Sequence, residues 1–91
     1  MNGEIAFMAE TKQITVKAVW DNEAKVWVTE SDDVPGLITE AESSEALLEK
    51  LRVLIPELLE ANHCLTVGEK LTMNVLVQYH REDRTVLQVA A

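Results

Sequence analysis

The chain reads as an α+β domain: a small antiparallel β-sheet with one long helix packed on one face, ordered β-β-β-α-β, with room for one further C-terminal strand. Three observations predict this. Residues 14–20 and 71–79 alternate apolar and polar side chains with the period of a strand. Residues 47–59 repeat leucine and isoleucine at helical spacing. Between these patterns, Asp32-Asp33-Val34-Pro35-Gly36 interrupts both periods. A chain of 91 residues has length for one modest core, and an apolar content of 47% is normal for a folded domain.

Residues 1–12 show no clear period and are expected to form a flexible N-terminal arm, leaving 13–91 as the single domain. In the first strand Ile14, Val16, Ala18 and Trp20 share one face, with Thr15, Lys17 and Val19 on the other. The polar run Asp21–Lys25 then turns the chain, and Val26–Ser31 returns as the second strand of a hairpin. Pro35 fixes φ and Gly36 admits a positive φ, so the backbone bends sharply there. Residues 37–42 are expected to form a third strand.

A helix is predicted over about 44–61. Ser43 or Ser44 can cap its first N–H groups, and Glu45 complements the dipole in the first turn. Leu47, Leu48, Leu51, Leu54, Ile55, Leu58 and Leu59 fall within an arc of roughly 140° at 100° per residue. Pro56 lies on the polar side, where the lost hydrogen bond leaves the Arg52 carbonyl facing water. Asn62-His63 can end the helix, and Gly68 marks a loop. After the strand at 71–79, Arg81-Glu82-Asp83-Arg84 reads as a charged turn and Thr85–Ala90 as a short last strand, with Leu87 and Val89 on one side.

The charge bears on partners. There are 8 Lys and Arg against 16 Asp and Glu, for a net charge of −8. The stretch from Asp21 to Glu60 holds eleven acids and three bases, so the whole imbalance sits mid-chain. That distribution opposes direct nucleic-acid binding, which needs cations for phosphate, and suits either solubility or a basic protein partner. One cysteine, Cys64, excludes an intrachain disulfide and is compatible with a cytoplasmic setting. No segment resembles a secretory signal or a membrane span.

No catalytic or metal signature emerges. Asp32 and Asp33 are adjacent carboxylates in a turn, a pattern that usually caps the turn. His63 and Cys64 adjoin the helix end and His80 is remote, so the four-ligand spacing of zinc is missing. The three glycines, Gly3, Gly36 and Gly68, are isolated and make no phosphate loop. No cofactor, no metal and no enzymatic activity are expected. The sheet face away from the helix is left bare and presents Val19, Trp27 and Leu76, depending on register. With Asp32 and Asp33 these form the candidate partner-binding set, and Pro35 and Gly36 shape the turn. Homo-oligomerisation, as a dimer or higher, is the simplest use of a bare apolar face.

Four pieces in order carry a family resemblance: Ile14–Trp20 leading into Asp21, then Val26-Trp27-Val28, then Asp32-Asp33-Val34-Pro35-Gly36-Leu37, then Thr39–Glu45 running into the leucine-rich helix. Together they cover about half the chain, and it resembles the HicB-like antitoxin N-terminal domain family, in particular its short stand-alone members of unassigned function. The resemblance implies a β-β-β-α-β fold and a protein-binding role, in which the domain docks onto a small basic HicA-type toxin that cleaves RNA. It maps the family's turn aspartate onto Asp33, beside Pro35 and Gly36, and marks Trp27 in the second strand. Antitoxins of this type usually continue into a DNA-binding module, whereas this sequence stops at Ala91, so operator binding is not expected. Glu40-Ala41-Glu42 also replaces the glycine-containing step often found before the helix in that family.

Overall fold

The computed structural model describes residues 11–62 and 72–90. Among these residues four strands and one helix follow in the order β1 (Thr11–Asp21), β2 (Val26–Glu30), β3 (Glu40–Ala41), α1 (Ser44–Ala61) and β4 (Thr72–His80). They form one four-stranded sheet of order β3-β2-β1-β4. The fold is the expected α+β arrangement, a small sheet with one helix. β1 begins at Thr11, inside the stretch assigned to the arm, and residues 1–10 lie outside the described residues. So do His63, Cys64 and Gly68.

The sheet is mixed, in contrast to the antiparallel sheet expected from the sequence. β1 pairs antiparallel with β2, and β2 with β3, but β4 runs parallel to β1, from Thr11 beside Thr72 to Val19 beside His80. The reason is topological. Two reversals leave β3 running the same way as β1, and a helical crossover then restores that direction in the next strand. The crossover carries β4 past β2 and β1 to the far edge of the sheet.

Residues opposite one another in a ladder share a face, which fixes the layers. Ile14, Val16 and Ala18 point to the helix, with Met73 and Val77 of β4 packed on the same core. From above come Leu47, Leu51, Ile55 and Leu59, all buried at intervals of four residues, with Leu54 and Leu58 partly buried beside them. Val34, Leu37 and Ala41 close the core from the turn and the short β3. The expected third strand shrinks to two residues. Thr29 holds the preceding segment instead, since its N–H and its Oγ1 both donate to the Thr39 carbonyl, each at 3.0 Å.

Both ends of α1 are satisfied. Ser43 is the N-cap, and its Oγ accepts from the Ala46 N–H at 3.1 Å. At the C-terminus the Asn62 N–H donates to the Leu58 carbonyl, and Asn62 Nδ2 donates to the carbonyls of Leu58 and Pro35 at 2.8 and 3.2 Å. Asn62 thereby ties the helix end to the turn at Pro35. Pro56 lies within the helix on its exposed side.

The last segment departs from the expectation of a charged turn and a final strand. Residues 81–90 contain no strand, and no turn or bend at 81–84 reverses the chain. Arg81 pairs with Asp83 at 3.2 Å and His80 with Glu82 at 3.0 Å. Pairs two residues apart meet only where the backbone is extended, so the charged run prolongs β4 instead of folding it back.

Candidate protein-binding surfaces

The hairpin register decides which side chains the bare face presents. Asp21 pairs with Val26, so the loop between β1 and β2 is Asn22–Lys25. Asp21 Oδ1 accepts from the N–H groups of Glu23 and Ala24, and the Lys25 N–H donates to the Asp21 carbonyl at 2.7 Å. Lys25 adopts φ 61°, the left-handed conformation that closes the loop. This register sets Trp27 beside Trp20 on one side and Ala41 on the other, which places it on the helix face.

Trp27 is therefore not part of the bare face, in contrast to the sequence expectation. It packs on the core and stands edge-on to Trp20 and Tyr79, with ring centroids 5.2 and 4.9 Å away. Arg81 lies over the Trp20 ring, its guanidinium carbon 4.7 Å from the centroid. Trp20 Nε1 is buried without a hydrogen-bond partner. The Tyr79 hydroxyl is held above its ordinary pKa, first by burial and second by the negative charge of Glu45.

Val19 and Leu76 do lie on the face away from the helix, 47% and 46% exposed. Val28, directly opposite Val19, joins them. Lys17, Glu30 and Gln78 share this face, so its apolar part is small and set among polar groups.

The turn residues separate by role. Asp33 Oδ2 accepts from the Thr15 N–H at 2.8 Å, and Ser31 Oγ donates to the Thr15 carbonyl at 2.6 Å. The β2 ladder stops at Lys17, so these two side chains satisfy the next backbone pair of β1. Asp33 is thus engaged in building the sheet, while Asp32 is exposed. Gly36 has φ +85°, and the Leu37 N–H donates to the Val34 carbonyl at 3.2 Å, the pattern of a type II turn with proline then glycine at its centre.

A groove of about 360 Å³ runs between α1 and β4. Among the described residues its walls are Leu48, Leu51, Ile55 and Pro56 of the helix and Met73 and Val75 of the strand, with Arg52 as the one charged group. Nothing in that lining supplies a nucleophile or a paired acid and base. Leu48 belongs to the apolar stripe expected in the core, yet it is exposed at the mouth of this groove. Among the described residues no three His, Cys, Asp or Glu side chains come close enough to hold a metal ion. No helix among them is long and apolar enough to cross a membrane. The outer side of α1 carries Glu45, Glu49, Glu57 and Glu60, all exposed. Arg52 approaches Glu49 at 4.0 Å, and Lys50 donates to the Glu40 carbonyl at 2.6 Å.

The comparisons with known proteins agree with this architecture. A crystal structure of the hypothetical protein TTHA1013 from the extremely thermophilic bacterium Thermus thermophilus is 46% identical. The match covers 81% of this chain and all of that one, with a TM-score of 0.65. No curated protein matches the chain. The family model of a domain of unknown function, DUF1902, matches residues 13–89, which spans the hairpin, the turn, the helix, β4 and most of the segment after it. The chain belongs to the DUF1902 family.

Proposed function

We propose that this domain is a non-enzymatic protein-binding module of the HicB antitoxin type, acting in the cytoplasm to neutralise a small basic toxin that cleaves RNA. The observation that carries the reading is the outer side of α1, where four glutamates stand exposed. Four acids against the two exposed bases Lys50 and Arg52 leave this side net negative, and such a surface steers a partner of the opposite sign. The ordered resemblance between Ile14 and Leu59 supports the same reading, and an apolar groove suits contact better than chemistry.

The test is co-expression with a basic protein encoded in the adjacent reading frame. The reading expects a complex on size exclusion at low salt that weakens as salt rises, together with rescue of growth. Absence of any complex at low salt contradicts it. A second reading, a structural homo-oligomeric domain with no toxin partner, is favoured by one observation: Val86, Leu87 and Val89 stand almost fully in solvent.

A further inference from the structure

The geometry points to reciprocal strand exchange between two copies of this chain. The C-terminal segment 85–90 of each copy adds to the free edge of β4 in the other, with Leu87 and Val89 seated over the groove beside α1. This rests on the homo-oligomeric part of the functional reading and is independent of any toxin.

Three observations carry it. The first is an unprotected edge. Among the described residues β4 is the outermost strand of its sheet, and its nine residues include no Lys, Pro, Asp or Glu. Those are the residues by which exposed edges are normally kept from pairing. β4 is also poorly covered, with Val75, Leu76 and Tyr79 all exposed.

The second is an unhoused strand sequence. Thr85-Val86-Leu87-Gln88-Val89-Ala90 is rich in β-forming residues, yet Val86, Leu87 and Val89 are 85%, 79% and 84% exposed. Among the described residues its own sheet does not take it. From Arg81 to Ala90 the backbone shows no turn or bend, and the pairs His80–Glu82 and Arg81–Asp83 lie along the start of that run. At about 3.3 Å per residue these ten residues reach roughly 33 Å beyond β4. Among the described residues none covers Val86, Leu87 or Val89, and a second copy can supply the missing neighbour.

The third is complementarity. In a straight strand, odd-numbered residues from Met73 through Arg81 to Leu87 and Val89 share the helix face. Two such strands related by a two-fold axis pair antiparallel and are self-complementary, which closes the assembly at two. With Leu87 beside the partner's Val75, Val89 falls beside the partner's Met73, and both cover the groove lined by Leu48, Ile55 and Pro56. Gln88 then lies beside the partner's Asn74 on the opposite face, where both are exposed.

The experiment has two arms on the full chain. Light scattering on the native protein and on Leu87→Asp with Val89→Asp reads the mass. The expected result is a two-fold mass for the native chain and a single-chain mass for the variant, with its circular dichroism retained because neither residue packs within its own chain. In a Cys64→Ser background, Asn74→Cys with Gln88→Cys is oxidised and run without reductant. It is expected to give a covalent dimer, since directly opposed strand residues lie within disulfide range. A monomeric native chain overturns both the exchange and the homo-oligomer reading. A dimer that survives the double aspartate variant, or that forms no cross-link, overturns the exchange alone and moves the interface to the face of Val19, Val28 and Leu76.

Discussion

The carboxylate of Asp33 accepts the backbone N–H of Thr15, eighteen residues earlier, at 2.8 Å. Ser31 Oγ donates to the Thr15 carbonyl at 2.6 Å and also accepts the Asp33 N–H at 3.1 Å. The turn side chains thereby stand in for a missing stretch of β2, and β1 stays straight where its antiparallel neighbour has left it. The aspartate of the Asp-Val-Pro-Gly run is explained by this bond.

Removing that acceptor should therefore cost stability. Asp33→Ala leaves the Thr15 N–H without its partner, and a loss of about 1–3 kcal/mol is expected. Asp32→Ala, at an exposed neighbour, should stay within about 0.5 kcal/mol of the native chain. Urea denaturation of the two variants checks the contrast, and equal effects would refute the assignment.

Among the described residues the two positive φ angles predict opposite responses. Gly36→Ala forces a Cβ into φ +85°, although the nearest atom, Leu58 Cδ2 at 3.6 Å, leaves room for it. The cost is then conformational, about 1–2 kcal/mol. Lys25→Gly relieves the same strain at φ 61° and should gain several tenths to about 1 kcal/mol. Thermal melts of both variants would show the melting temperature falling in the first and rising in the second.

Burial along α1 makes a third contrast. Leu51 is buried in the core, and Leu51→Ala should lose about 2–5 kcal/mol through the methylenes removed and the cavity left. Val53, two residues on, is exposed, and Val53→Ala should be neutral or slightly stabilising because alanine favours helix. Denaturant midpoints at unchanged slope would establish this.

Tyr79 sets a limit on alkaline stability. Its folded pKa lies above the ordinary value near 10, so the folded chain holds the phenolic proton more tightly than the unfolded one. That contribution is complete below the ordinary value and is lost as pH rises through the folded value. Denaturation above about pH 10 should show native stability falling more steeply than that of Tyr79→Phe. Parallel curves would contradict the placement of Tyr79 against Trp27.

Periodicity is most informative where the pattern is local. It locates α1 at both ends, because the Ser43 cap, the leucine stripe and Asn62 are close in sequence. It also finds the strand cores at Ile14–Trp20 and Val26–Glu30. Direction is beyond it: alternation in Met73, Val75 and Val77 tells which residues share a face, and says nothing of whether β4 runs with or against β1. Trp27 lies on the other face from the one expected because a loop of Asn22–Lys25, with Lys25 left-handed, sets a register that composition does not encode. The bond from Thr15 to Asp33 is hidden by its sequence separation. Thr85–Ala90 has the pattern of a strand, but residues 81–84 form no turn that would bring it back onto β4.

The most direct measurement is amide hydrogen exchange of residues 85–90 across a dilution series. Paired with a second copy, these amides should be protected in concentrated protein and lose that protection on dilution, while β1 remains protected throughout. Fast exchange of residues 85–90 at every concentration would contradict the account.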